Sequence, residues 1–229
     1  MRGSYGQFCP VAMASEVMCA RWTPLVVREL IGGSSRFNDI RRGVPRMSPT
    51  LLSKRLGELE EAGIITAAPD AKGVKEYRLT QAGKELRTIV MALGIWGQRW
   101  VETGPTLDNL DPDLLVWDVH RYIGGTQLPA RRVCIQFIFN DVVPKKRNSW
   151  LLVDPETGAE ACYIDPGFEV DLYTECGLRV MTAVWLGIDT VAAALDRGDL
   201  TLTGDRAIAI QMQQWLGLSP FAKEKKRVA

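Results

Sequence analysis

From Cys9 to Thr80 the prolines and glycines recur at intervals that admit only short helices and one tight hairpin. Cys9-Pro10 opens a helix with proline where a missing N–H is tolerated, and Val11, Ala14, Val17 and Met18 give it an apolar face. Trp22-Thr23-Pro24 opens the next, with Thr23 expected as its cap, and Gly32-Gly33 ends it. Ser34-Ser35 is expected to cap a short helix carrying Phe37, Ile40 and Val44. A turn over Gly43 to Met47 leads to Ser48-Pro49, which starts a helix whose Leu52, Leu56 and Leu59 share one face, and Gly63 stops it. Two short amphipathic helices joined by a few residues that include glycine are a helix-turn-helix. Strands expected over 64–68 and 76–79 flank Pro69 to Lys75, a turn-rich tip with two lysines, and so form a wing. Thr80 then caps a long helix that runs to about Glu102 and carries Leu86, Ile89, Val90, Leu93, Trp96 and Trp100.

The pattern changes after a Gly/Pro/Asp-rich stretch at 103–112, which reads as a linker. Val133, Ile135, Phe137 and Phe139 alternate along a strand. Further strands are expected at 150–153 and 161–164 around the turn Asp154 to Gly158, at 170–174 and at 200–203. Helices are expected at 177–186, 190–197 and 205–215, and residues 223–227 are expected to fray. The fold class is α+β. A winged helix-turn-helix for DNA binding and dimerisation, mainly α with a two-stranded wing, occupies 1–103. An α+β domain suited to ligand binding occupies 112–222.

Charge separates the two halves. Residues 1–104 hold 15 Lys and Arg against 10 Asp and Glu, while residues 105–229 hold 13 against 17. The excess concentrates in 36–55, where Arg36, Arg41, Arg42, Arg46, Lys54 and Arg55 face one acid, Asp39. Cations in that density neutralise phosphates and release counterions, which makes double-stranded DNA the expected partner. The second helix of the pair is expected to enter the major groove by its first turns. Ser48, Thr50, Ser53 and Lys54 are then the side chains left over from the core to meet base edges, and Arg55 reaches a base or a phosphate. Arg36 and Arg42 are candidate phosphate contacts, as are Lys72 and Lys75 in the wing. Glu58, Glu60 and Glu61 lie at the far end of the helix.

Enzyme chemistry finds little support. His120 is the single histidine, and neither a phosphate-cradling glycine loop nor a nucleophile elbow occurs. No catalytic residue, metal site or cofactor is expected. The five cysteines show no C-x-x-C spacing, so neither a disulfide framework nor a zinc site is expected. No apolar run is long enough to span a membrane, and Met1 to Gln7 does not lead into a secretion signal, so a cytoplasmic protein without membrane contact is expected. Two alternatives stay open: a carboxylate-based enzyme, and a protein-interaction module that uses the winged helix without DNA.

One ordered series of residues resembles a known family. Cys9-Pro10-Val11, Trp22-Thr23, Arg28-Glu29-Leu30, Arg36-Phe37, Asp39-Ile40, Ser48-Pro49, Leu51-Leu52-Ser53, Arg55-Leu56, Glu58 to Gly63, Tyr77 to Thr80 and Gly83 resemble the HxlR-type winged-helix regulators over residues 8–102. The resemblance implies a homodimer on a two-fold-symmetric operator, with the N-terminal helix and the long helix at the interface, where Leu93, Trp96 and Trp100 on the long helix are candidates. It also implies a thiol at Cys9 that senses oxidants or electrophiles, while the residue by itself reads as a small buried side chain. The chain continues for more than a hundred residues past the length at which many members end. Between 150 and 216, Val184 to Gly187, Ala192, Ala193, Leu195, Gly198-Asp199-Leu200, Leu202 and Gly204-Asp205 resemble sterol-carrier-protein-type domains. That resemblance implies an apolar tunnel for a lipid-like or aromatic effector. Phe137, Phe139, Tyr163, Met181 and Trp185 would line it, or else serve as ordinary core.

Overall fold

Leu52, Leu56 and Leu59 are at most 1% exposed, and the first of two cores closes around them. In the computed structural model, which describes residues 4–101, 110–124 and 127–227, the chain forms two compact units, Met1–Gly94 and Ile95–Ala229.

In the first unit, α1 (Pro10–Met18), α2 (Thr23–Ile31), α3 (Phe37–Gly43) and α4 (Pro49–Glu61) are followed by β1 (Ile65–Pro69), β2 (Lys75–Leu79) and α5 (Gln81–Trp100), whose last residues count with the second unit. Strands β1 and β2 pair antiparallel, Ile65 opposite Leu79 and Pro69 opposite Lys75. Val26, Val27, Ile40, Val44 and Met47 join the three leucines, Ile65, Tyr77 and Val90 in the core. Fully burying one such side chain contributes about 1.5–3 kcal/mol, so this cluster holds three short helices that would not persist alone.

Ser48 caps α4 as expected, its hydroxyl accepting from Leu51 N. Thr80 does the same for α5, accepting from Gly83 N. Two other caps differ from expectation. Thr23 lies inside α2, 2% exposed, and the capping position belongs to Trp22, the one non-glycine residue at positive φ (79°) among the described residues. Arg36 rather than Ser34 or Ser35 precedes α3, and no side chain caps it.

The second unit contains α6 (Pro112–Tyr122), β3 (Val133–Phe139), a short 3-10 turn at Pro144–Lys146, β4 (Asn148–Asp154), β5 (Gly158–Cys162), β6 (Leu172–Cys176), α7 (Leu178–Trp185), α8 (Val191–Asp196), β7 (Leu200–Gly204), α9 (Arg206–Ile210) and α10 (Met212–Trp215). The five strands form one sheet in the order β5-β4-β3-β6-β7; β3 and β6 are parallel and every other pair is antiparallel. Val133, Ile135, Phe137 and Phe139 share one face, all at most 1% exposed, and pack with Leu115, Val119, Leu172, Met181, Val184 and Trp215. Helix α6 replaces the strand character expected after the linker; most of that linker, with Glu102, lies outside the described residues. The helix expected over 205–215 divides at Gln211 into α9 and α10. Residues 223–227 are not frayed: Glu224, Lys226 and Arg227 all hold on to the end of α5.

Candidate nucleic-acid interface

Exposed polar side chains mark both the start of α4 and the tip of the wing. Leu52, Leu56 and Leu59 turn inward, so the intervening positions must turn out; Ser48, Thr50, Ser53 and Lys54 are all exposed. Proline at 49 and the Ser48 cap fix the first turn of α4, so these side chains project from a rigid helix start.

The wing is held by Asp70. Its Oδ1 accepts from the N–H of Lys72 and of Val74, each at 2.8 Å, and its Oδ2 accepts from Arg36 Nη2 at 2.9 Å. The Val74 N–H leads the groups that keep this carboxyl below its ordinary range. Lys72 and Lys75 are exposed around the tip, and Lys75 Nζ lies 5.2 Å from the centre of the Tyr77 ring.

The arginines behave differently from the lysines. Arg36 spans Asp70 and Glu76, tying the start of α3 to the wing. Arg42 pairs with Asp39 at 3.4 Å. Arg55 donates to Arg21 O at 3.2 Å and forms an ion pair with Glu58, both side chains less than 20% exposed. Glu58 therefore folds back along α4 instead of pointing away with Glu60 and Glu61. Exposed ion pairs contribute about 0–1 kcal/mol, so Arg36 and Arg42 can exchange an acid for a phosphate at little cost. Arg55 is held by two partners in a half-buried setting and is the least available of the three.

One buried charge lies where α2 meets the end of α3. Glu29 is 0% exposed and accepts from Arg28 Nε and Nη2 at 3.0 and 2.8 Å, while Arg28 Nη2 also donates to Gly43 O at 2.9 Å. The carboxylate lies against the end of α3, where a Cβ on Gly43 would come within 1.8 Å of Glu29 Oε2. The sequence placed Glu29 only in the family series and Gly43 only at the start of a turn, and nothing local signals that the two meet.

A family model described as HxlR-like helix-turn-helix matches residues 17–105. The HTH-type transcriptional regulator YvaP of Bacillus subtilis is 34% identical over 99 residues, covering 42% of this chain and 92% of that protein. The chain belongs to the HxlR-like helix-turn-helix family. A second relative, the HTH-type transcriptional regulator Rv3095 of Mycobacterium tuberculosis, is 39% identical over 137 residues, covering 54% of this chain and 82% of its own length. Among solved structures, the reduced form of the transcriptional regulator YodB from B. subtilis is 28% identical over 43% of this chain and 99% of that one, with a TM-score of 0.37.

The remaining candidates fall in separate places. Leu93, Trp96 and Trp100 lie on α5 at 55%, 57% and 45% exposure. Cys9 precedes α1, where the N–H groups of Ala12 and then Val11 hold its thiol below the ordinary value. Burial, then Asp171, pushes Cys134 up to about 11; burial, then Asp141, pushes Cys176 up to about 12. Phe137, Phe139, Met181 and Trp185 all belong to the core of the second unit, at most 5% exposed, and the Tyr163 hydroxyl donates to Asp113 O at 3.0 Å. His120 sits on α6 with its ring 4.2 Å from that of Trp117 and its Nδ1 against Trp117 O. Among the described residues no helix is long and apolar enough to cross a membrane.

Proposed function

We propose that this HxlR-family chain is a sequence-specific, cytoplasmic regulator that reads double-stranded DNA as a homodimer, and acts by binding rather than by catalysis. The observation that carries this is the exposed polar face at the start of α4, flanked by a wing whose tip presents Lys72 and Lys75. Thr50 and Ser53 read base edges. Lys54, Lys72 and Lys75 contact the backbone, with Arg36 and Arg42 released from their acids. Arg55 orients the helix through Arg21 and Glu58. Ser48 serves as a cap before it serves as a contact.

Dimerisation uses the α5 stripe. Three large apolar side chains half-exposed on one helix suit a symmetric partner better than water. Division of labour follows the expected bounds, 1–103 for DNA and 112–222 for an apolar effector. The element order α7, α8, β7, Gly204-Asp205, α9 supports the second assignment, being the order that the sterol-carrier resemblance implies. Thiol chemistry at Cys9 is the second route to control, supported by its position before α1 and its lowered pKa.

Fluorescence anisotropy tests the central proposal: the protein against a duplex from its own upstream region, beside a scrambled duplex, across a salt series. Selective binding that weakens steeply with salt is expected. Equal or absent binding to both duplexes refutes it and favours a protein partner or an enzyme. Thr50→Ala and Ser53→Ala are expected to alter base preference more than overall affinity; a uniform loss across sequences removes them as readers. Cutting the chain near residue 104 should abolish response to an apolar effector while DNA binding persists.

A further inference from the structure

Residues 217–227 follow α10 and press in turn on three elements of the second unit. Gly217, at φ 70°, runs so close to the end of α6 that a Cβ there would sit 2.5 Å from Tyr122 O. Ser219 N donates to Trp185 O at 2.9 Å. Ala222 closes on Gly187, just after α7, where an added Cβ would come within 2.9 Å of the Ala222 Cβ. The chain then reaches the end of α5. Arg99 Nε and Nη2 fork onto Glu224 Oε2 at 2.7 and 2.6 Å. Arg227 N donates to Arg99 O at 2.9 Å, and Lys226 Nζ donates to Val101 O at 2.6 Å. The Arg227 guanidinium lies 5.7 Å from the centre of the Trp100 ring.

These contacts fall into two kinds. Residues 217–222 are seated by backbone hydrogen bonds and close packing. Residues 224–227 grip α5 mainly through charged side chains, an ion pair at 35% and 23% exposure, the Lys226 ammonium on Val101 O and a cation over a half-exposed ring, with one backbone hydrogen bond from Arg227 N beside them. Contacts of the second kind are individually weak in water and are screened by salt. They nonetheless suit their target, because the last carbonyls of a helix lack intrahelical donors and favour nearby cations. A firmly seated segment that ends in a weak, well-aimed grip holds a helix end reversibly.

We infer that residues 223–227 are a salt-sensitive latch by which the second unit holds the last turn of α5. Its release loosens the helix end that carries Trp96 and Trp100. A disturbance at the ends of α6 or α7 reaches α5 through Tyr122, Trp185 and Gly187, the surfaces on which residues 217–222 rest. The consequence for assembly rests on the proposed dimer contact; the latch itself does not.

Hydrogen–deuterium exchange at the amides of residues 97–101 reads the latch directly. Three proteins are compared: the full chain, Glu224→Gln, and a chain ended after Ala222. Each is measured at about 0.01 M and about 1 M ionic strength, where the Debye length falls from about 30 Å to about 3 Å. At low salt the full chain is expected to exchange on the order of tenfold more slowly there than the shortened chain, with Glu224→Gln between them. At high salt the full chain and Glu224→Gln should converge, and the shortened chain should differ from them only by what the Arg227 backbone hydrogen bond holds. Unchanged exchange along β3 shows that the second unit keeps its fold, and Glu224→Gln gives the result on its own account if the shortened chain does not fold. Identical exchange at 97–101 in all three proteins at both ionic strengths overturns the latch. Sedimentation then reads assembly: a dimer weakened along with the latch supports the coupling. A latch present with an unchanged dimer constant overturns the coupling and moves the dimer contact away from the end of α5.

Discussion

Gly43→Ala tests whether Glu29 sets the packing of α2 against α3. The new Cβ would lie 1.8 Å from Glu29 Oε2, 1.9 Å from its Cδ and 2.4 Å from Oε1. A carboxylate that is 0% exposed has no empty space to move into, so it must part from Arg28. Breaking a buried pair costs about 3–5 kcal/mol, and alanine regains up to about 1 kcal/mol of helix propensity over glycine. The Arg28 side chain is 34% exposed and can turn to water, which puts the net loss near the lower end, about 2–3 kcal/mol. Total stability of an ordinary domain is about 5–15 kcal/mol, so the first unit should remain folded but open more often. Because the chain has two units, a single unfolding midpoint is a poor measure; exchange at the amides of Val27, Leu52 and Leu56 reports on the first unit alone. In a Glu29→Ala background the same glycine change should cost less than about 0.5 kcal/mol, since the obstruction is gone. A neutral Gly43→Ala, or an equal cost in both backgrounds, refutes the reasoning.

Other outcomes follow from single groups. Because the folded state depresses the Asp70 carboxyl, its contribution to the wing is fully present above the ordinary aspartate range and is lost as pH falls through the lowered value. The amide shifts of Lys72 and Val74 should therefore stay constant from neutrality to about pH 4 and move only below it; a transition near neutrality contradicts this. In the folded protein at mildly alkaline pH, iodoacetamide should modify Cys9 well before Cys134 and Cys176, whose thiols sit near 11 and 12. Equal labelling by mass spectrometry would show that the start of α1 gives no thiolate advantage. Thr174 Oγ1 is buried in the sheet with no hydrogen-bond partner. Replacing it with valine of the same shape should raise the stability of the second unit by about 1 kcal/mol in urea, and a loss of stability would reveal a role for the hydroxyl.

How far the sequence could be read depended on whether the deciding contact was local. The Ser48 cap, the Thr80 cap and the leucine face of α4 depend on neighbours within one or two turns, and all three appear in the structure. Trp22 could not be identified as the residue before α2, since its left-handed backbone goes against what a bulky side chain prefers. Helix α6 was missed although its signal was present. Asp111-Pro112 repeats the grammar of Ser48-Pro49, and Asp111 does cap, accepting from Asp113 N. One partner each of Arg36 and Arg55 lies 34 residues away, in Asp70 and in the carbonyl of Arg21. No periodicity announces such pairs, so charge density in residues 36–55 overstates how many cations stand ready for DNA.

The central parallel pair bears on how the second unit comes together. Strands β3, β4 and β5 follow one another through short connections and can zip up as a meander soon after that stretch of chain is available. Strand β6 joins β3 only after a long excursion, and β7 only after α7 and α8. Pairings that close long loops form slowly. During that interval β3 has one unpaired edge and displays Val133, Ile135, Phe137 and Phe139, a segment without charge, proline or glycine. A second nascent chain offers the same edge. Yield on expression should therefore be governed by the delay before Leu172–Cys176 arrives, so that slower synthesis at low temperature helps by keeping chains apart while β3 waits.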